Sequence, residues 1–309
     1  MTVETLAIDA TTSARLMRRA ARAVLVIQSV MMALKLGAWV VTDSVSMLSA
    51  LIDSVLDVVA AFVNLMAMRQ ALAPADREHR FGHGKIEPLA SLGQAAFIAG
   101  SSVVLMIEVA HHIVQPVEVT DTGLGLIVMA VAIVASFGLL RYEQAIVRKT
   151  GSLLLSGDAL HNAGDLALNG GVVLALIFTK FFGWSLIDPI FGGAIALWIL
   201  FSAYQVAQKS IVQLMDRELS DEARARIRKL ALAHAEVRAV HDLKTREAGP
   251  TAFIQLHLEM DGGMTLRESH RVADAVEADI LEQFPRAEII IHQDPEGVDE
   301  KRLVFPATG

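Results

Sequence analysis

The sequence predicts an α-helical membrane protein with six transmembrane helices, followed by a C-terminal cytoplasmic α/β domain of αββαβ order. Three observations carry that prediction. The 309 residues are 53% hydrophobic, with a mean hydropathy of +0.47, too apolar for an ordinary soluble chain. Six separate apolar runs each approach the ~20 residues that a helix needs to cross a bilayer. Past residue 211 these runs stop, and residues 211–309 hold 13 Lys/Arg against 19 Asp/Glu, most of the acidic excess behind the net charge of −7.

The runs are Ala23–Val41, Val45–Met68, Pro88–Ile107, Gly123–Leu140, Leu153–Thr179 and Leu186–Tyr204. An even number of spans puts both termini on one side. Arg15, Arg18, Arg19 and Arg22 precede the first run; Arg69, Arg77, Arg80 and Lys85 follow the second; Arg141, Arg148 and Lys149 follow the fourth. The opposite loops are nearly bare: no basic residue around Asp43, none from His111 to Thr122, only Lys180 before the sixth run. The positive-inside rule then places both termini in the cytoplasm. The first run is long and led by arginines, as in a membrane anchor, and no cleavable signal peptide is visible. The expected division is residues 1–211, a membrane domain, and 212–309, a cytoplasmic domain.

The tail has clear periodicities. "SDEARARIRKLALAHA" opens with Ser220 as a cap and an acidic first turn, then repeats apolar residues at helical spacing. A strand is expected around Val240–Arg246. "AFIQLHLEM" alternates, with Ile254, Leu256, Leu258 and Met260 on one face and Phe253, Gln255, His257 and Glu259 on the other. "TLRESHRVADAVEADILEQF" is a second amphipathic helix, and "AEIIIHQD" a closing strand.

There are no cysteines, so disulfides, thiolate zinc fingers and iron–sulfur clusters are excluded, and any metal site must use nitrogen and oxygen donors. The acidic balance argues against nucleic acid as a partner. Twelve methionines read as packing residues.

Against this apolar background, "LIDSVLD" puts Asp53 and Asp57 four residues apart inside the second span, and "DALHNAGD" puts His161 and Asp165 four apart inside the fifth. Residues i and i+4 share a helix face. An ionisable group in mid-membrane costs roughly 2.5–3.5 kcal/mol, so four left unpaired would cost on the order of 10 kcal/mol. They must face one another, water or an ion. Two helices that each present such a pair offer three carboxylates and one imidazole, a set suited to a divalent first-row metal, zinc among them. Asp158, one turn before His161, reads as a helix cap near the cytoplasmic mouth and stays outside that set.

Two further groups invite a metal reading. In "ADREHRFGHGK", Asp76, His79 and His83 lie close enough for one ion at a short turn, with Gly82 and Gly84 allowing a tight backbone; a solvated loop with incidental histidines is the plain alternative. In the tail, His257 lies on the polar face of its strand, His292 and Asp294 share a face, His241 opens "HDLKTRE" and His270 sits on the second helix. Surface histidines are common, so by itself this pattern fits metal binding and an ordinary polar face equally. Of the other histidines, His111 and His112 read as a helix end and His234 as a helix-surface residue.

"LIDSVLD", "HRFGHGK" and "DALHNAGD", in this order on six spans with a small α/β tail, resemble the cation diffusion facilitator family. The resemblance covers almost the whole chain. It implies a homodimer in the bacterial inner membrane that exports zinc from the cytoplasm in exchange for protons, by alternating access, with a metallochaperone-like tail. It marks Asp53, Asp57, His161 and Asp165 as the transport site, Asp76, His79 and His83 as a loop site, and His241, His257, His270, His292 and Asp294 as a two-metal site in the tail. It also pairs Lys85 with Asp216 in an interdomain salt bridge, a hinge contact rather than chemistry. Zn²⁺ is then both the substrate and a structural or regulatory ligand. Many zinc-selective relatives have His where this chain has Asp53, which widens the expected substrates to Cd²⁺, Fe²⁺ and Mn²⁺. The histidine-rich loop of some eukaryotic relatives is absent from Arg141–Ser152. The expected partners are therefore a second copy of the chain, membrane lipid, divalent metal ions and protons. Neither G-x-G-D nor H-E-x-x-H occurs, which removes the main intramembrane protease signatures; a metal-gated channel stays open as a rival.

Overall fold

The structure is a computed structural model that describes residues 9–42, 45–114, 123–182 and 187–298. The expected loops around Asp43, at 115–122 and at 183–186, and the ends of both expected domains, lie outside the described residues. Six long helices come first: α1 (Ala10–Thr42), α2 (Val45–Ala71), α3 (Ile86–Val114), α4 (Gly123–Thr150), α5 (Leu153–Phe182) and α6 (Ile187–Leu214). Five of them contain stretches long and apolar enough to cross a membrane. α5 carries the His161 and Asp165 pair and is the sixth long apolar helix.

Each helix begins or ends outside its apolar run, for local reasons. α1 starts at Ala10, well before Ala23, because Asp9 caps it: its Oδ1 accepts from the Thr12 amide at 2.9 Å and from the Thr11 hydroxyl at 2.5 Å. Those hydrogen bonds, led by Thr11, hold the Asp9 carboxyl far below its usual range. At about 1.5 Å per residue, the 33 residues of α1 span about 50 Å, well beyond a hydrocarbon core of about 30 Å. α4 continues past Leu140 to Thr150 and stops where Gly151 adopts φ 71° and its amide reaches Val147 O at 2.8 Å. A left-handed glycine is the usual helix stop, and only Gly151 and Ser152 separate α4 from α5.

In the helical unit, α3 packs along α6, α1 along α2 and α4, and α5 against α3, α4 and α6. Its interior includes Met17, Ala20, Ala21, Leu65, Met68, Leu154 and Leu155. At the end of α6, the Lys85 ammonium lies 2.6 Å from Asp216 Oδ1 and donates to Leu214 O at 3.0 Å. A cation at a helix C-terminus is favourable for the helix dipole as well as for the ion pair.

Among the described residues, 218–247 and 251–298 form a second compact unit, with α7 (Asp221–Ala231), β1 (Val237–Ala248), β2 (Thr251–Met260), α8 (Leu266–Gln283) and β3 (Ala287–Pro295) in chain order. This is the expected αββαβ order. Ser220 caps α7 by accepting from the Ala223 amide, and Thr265 and Glu268 form a reciprocal capping box on α8. The sheet order is β1-β2-β3. β1 and β2 are joined through Gly249 and Pro250 alone, a connection that antiparallel strands allow; β2 and β3 run parallel and need a crossover, which α8 supplies.

The alternation in β2 decides which side is core. Ile254, Leu256, Leu258 and Met260 are buried with Ala223 and Ile227 of α7 and Val276 and Ile280 of α8. Each fully buried Leu or Ile contributes roughly 1.5–3 kcal/mol. Both helices therefore cover one face of the sheet. The odd-numbered residues of β2 point to the opposite face.

Candidate metal centres

Inside the helical unit, α2 and α5 bring three side chains together. His161 Nε2 lies 2.9 Å from Asp57 Oδ1 and 3.6 Å from Asp165 Oδ2, and one donor atom from each of the three falls within 4.8 Å of the others. The i, i+4 spacing places Asp165 under His161 on α5, and Asp57 meets them from α2. Two carboxylates and an imidazole converging on one point can hold a divalent ion in place of its water.

Asp53, the fourth expected member, stands apart. It is exposed and outside the three-residue cluster. Four residues of helix carry it about 6 Å along the axis from Asp57, so a shared face does not by itself bring it to His161. Lys35, a cation within α1, lies within electrostatic reach of both Asp53 and Asp165.

A shell of polar side chains surrounds the cluster. Asp158 is buried, and its Oδ1 accepts from Asn64 Nδ2 and Gln94 Nε2, both at 2.6 Å. This aspartate does not cap a helix: it is held from α2 and α3 in the interior of the bundle. Glu143 of α4 is fully buried and accepts from Asn162 Nδ2 at 2.9 Å; Asn162 Oδ1 accepts from Gln28 Nε2 of α1 at 3.3 Å. A small cavity of about 20 Å³, room for about one water, has Asp57, Asp158, His161, Gln28, Gln94 and Asn162 in its wall.

The second group forms as a turn. Asp76 Oδ1 accepts from the backbone amides of His79 at 2.7 Å and Glu78 at 2.9 Å, and its carboxyl is held below the usual carboxylate range, chiefly by the His79 amide. The His79 ring lies 3.3 Å from Asp76 Oδ1, and His83 Nε2 lies 3.3 Å from Asp76 Oδ2. Gly82, at φ 76°, makes the turn that brings the two rings within 4.5 Å.

The third group sits on the sheet face that the helices leave open. Parallel pairing sets His257 beside His292 and Glu259 beside Asp294. Asp294, only 6% exposed, is the common partner: Oδ2 lies 2.8 Å from His257 Nδ1 and 3.3 Å from His241 Nε2, while Oδ1 lies 3.0 Å from His292 Nε2. One donor atom from each of His241, His257 and Asp294 falls within 4.8 Å of the others, with His292 against the second carboxylate oxygen. Glu259, whose Oε1 is 3.2 Å from His241 Nε2, also belongs to this group; in the sequence it reads only as a member of the polar face, and its i+2 relation to His257 is the signal that finds it. His270 is not brought here. It lies on α8, on the core side of the sheet, 68% exposed and 3.5 Å from Asp274. His234 lies past the end of α7, 2.9 Å from Asp279.

Buried carboxylates in a six-helix apolar bundle, with a histidine-rich open sheet, define a membrane protein built to handle metal cations. Residues 21–215 match the cation efflux transmembrane domain, and residues 219–296 match the cytoplasmic domain of cation efflux proteins. The cation-efflux pump FieF of Klebsiella pneumoniae is 42% identical over 284 residues, 92% of this chain and 94% of that protein. FieF of Escherichia coli O1:K1 / APEC is 42% identical over 281 residues, 91% of this chain and 93% of that protein. Among solved structures, CzrB in its zinc form is 36% identical and covers 28% of this chain and 99% of that one, with a TM-score of 0.26. The chain belongs to the cation efflux family, and is a multi-pass membrane transporter rather than an enzyme.

Proposed function

We propose that this chain exports divalent metal cations from the cytoplasm in exchange for protons, by alternating access, as a homodimer in the bacterial inner membrane with both termini cytoplasmic. Zinc is the first candidate substrate, and Cd²⁺, Fe²⁺ and Mn²⁺ follow. The observation that carries this reading is the convergence of Asp57, His161 and Asp165 within 4.8 Å inside the helical unit. FieF, the 42% identical relative, is a cation-efflux pump by name, which favours the same class of substrate.

Metal binding needs an unprotonated imidazole and ionised carboxylates, so ion and proton compete for the same three side chains. A site that opens alternately to each side loads metal where protons are scarce and releases it where they are plentiful. Asp53, one turn along α2, is a fourth donor that a small movement of α2 or its own side chain brings in. The sheet-face group, with Asp294 between three imidazoles, is proposed as the regulatory or structural metal site of the tail. Asp76, His79 and His83 form a loop site. The cytoplasmic domain of this family supports assembly as a dimer.

The test is zinc flux in proteoliposomes with and without an imposed pH gradient, with Asp57→Ala as the comparison. Gradient-dependent flux that the substitution abolishes is the expected result. Undiminished flux in Asp57→Ala would overturn the site, and flux indifferent to pH would replace the exchanger with a channel or uniporter.

A further inference from the structure

We propose that Glu143 is a positioning residue of the transport site, which aims His161 by fixing the rotation of α5 through Asn162. The inference rests on the transport-site reading above and adds a residue on a helix that contributes none of the converging ligands.

The chain of contacts is short. Glu143 of α4 is 0% exposed, and its Oε2 accepts from Asn162 Nδ2 at 2.9 Å. Asn162 is itself buried, and its Oδ1 accepts from Gln28 Nε2 of α1 at 3.3 Å. With a donor on one side and an acceptor on the other, the Asn162 amide is held between α1 and α4. Asn162 is the residue after His161, so whatever holds it sets the azimuth from which the imidazole leaves the helix. One turn earlier, Asp158 is held by Asn64 of α2 and Gln94 of α3. α5 is thus clamped by polar contacts from α1, α2, α3 and α4, and His161 reaches Asp57 between them.

Asn162 and Gln28 could satisfy one another, whereas Glu143 leaves Oε1 buried with no hydrogen-bond partner among the described residues. Leaving such a group unsatisfied destabilises a fold. What the side chain supplies is an acceptor for the Asn162 amide from a third helix, α4. Groups hydrogen-bonded to a metal ligand typically change metal affinity 10- to 100-fold when replaced, and the Glu143–Asn162 contact acts on His161 through the adjoining backbone.

The experiment measures zinc flux by the full-length chain in proteoliposomes across a zinc concentration series at a fixed pH gradient. It compares wild type, Glu143→Leu, Glu143→Gln, Asn162→Ala, the Glu143→Leu/Asn162→Ala double variant and Asp57→Ala. Glu143→Leu is expected to raise the zinc KM about 10- to 100-fold with maximal flux little changed. Glu143→Gln, whose side-chain oxygen accepts the same hydrogen bond, is expected to recover KM to within about threefold of wild type, since its carbonyl acceptor stands in the same place. Asn162→Ala should match Glu143→Leu, and the double variant should be no worse than either, because both remove one interaction. An unchanged KM with reduced maximal flux or yield would leave Glu143 a structural residue only. Additive effects would remove the link through Asn162. Equal loss in Gln and Leu variants would show that the carboxyl group itself, not its hydrogen bond, is required. Where Glu143→Leu does not fold, Glu143→Gln and Asn162→Ala decide: a wild-type KM in Asn162→Ala refutes the proposal. Flux that survives Asp57→Ala refutes the transport site and the proposal with it, whereas loss in Asp57→Ala with a normal KM in Glu143→Leu refutes the positioning role alone.

Discussion

Replacing Asp294 by alanine removes the one residue that all three sheet-face imidazoles share. Its Oδ2 lies 2.8 Å from His257 and 3.3 Å from His241, and its Oδ1 lies 3.0 Å from His292. The residue is nearly buried, so water does not easily take its place. Groups that only orient ligands are worth 10- to 100-fold in metal affinity; a carboxylate that faces three candidate ligands directly should reach at least the upper end. That is a weakening of about 100-fold, or roughly 2.7 kcal/mol at about 1.36 kcal/mol per decade. The assay is competition for zinc between a chromophoric chelator and the detergent-solubilised full chain, in an Asp57→Ala, Asp76→Ala background so that the tail is the remaining candidate site. His241, His257 and His292 stay in place in both proteins, so the difference belongs to the carboxylate. An affinity within threefold of the Asp294-containing protein would refute the shared-carboxylate geometry as a metal site.

Further consequences can be measured alongside. A Cβ added at Gly157 would meet Gln94 Oε1 at 2.4 Å, so Gly157→Ala should displace the Gln94 amide from Asp158. It should raise the zinc KM in the flux assay as Gln94→Leu does, with no further effect when the two are combined. Leu256→Ala empties a fully buried position in the tail core and should destabilise that unit by about 2–5 kcal/mol, read as a lower denaturant midpoint for release of its protease-protected fragment. Thr265→Ala removes a cap from α8 and should cost about 1 kcal/mol in the same assay. Its capping partner Glu268 has its carboxyl held below the usual range, chiefly by the Thr265 amide. The capping stabilisation is therefore present above the ordinary glutamate value and is lost as pH falls through the lowered one; Glu268→Gln should flatten this acid limb of the stability curve.

The membrane helices were legible because an apolar run of bilayer length has few other readings, and the tail because period 3.6 and period 2 alternate cleanly in it. Their ends were not. Arg15 to Arg22 interrupt hydropathy without interrupting helix, so α1 begins far ahead of its apolar run. α4 likewise runs on past Leu140, and Glu143, beside Arg141, looks like loop charge until that continuation puts it inside the bundle. The i, i+4 spacing picked out Asp57, His161 and Asp165 because paired ionisable groups in a span are costly and periodic. A single amide in an apolar helix has no such periodicity, so Gln28, Asn64, Gln94 and Asn162 carried no signal until helix packing brought them together. Helical spacing assigns a face and not a neighbour, which is why Asp53 shares the Asp57 face and still lies outside the cluster. The histidine pattern of the tail assigned His257, His292 and Asp294 to one surface, but only the crossover that sends α8 over the other side separates His270 from them.

The pairing of His257 with His292 across β2 and β3 has a metrological consequence. Two parallel strands stand about 4.8 Å apart because peptide hydrogen bonds set that spacing, so the backbone acts as a ruler for the ligands it carries. Changing the ruler would mean breaking the ladder. On the proposed assignment the tail would be a fixed gauge, suited to reporting whether an ion is present, and any adjustment to ionic radius would fall to the site whose ligands sit on two separate helices.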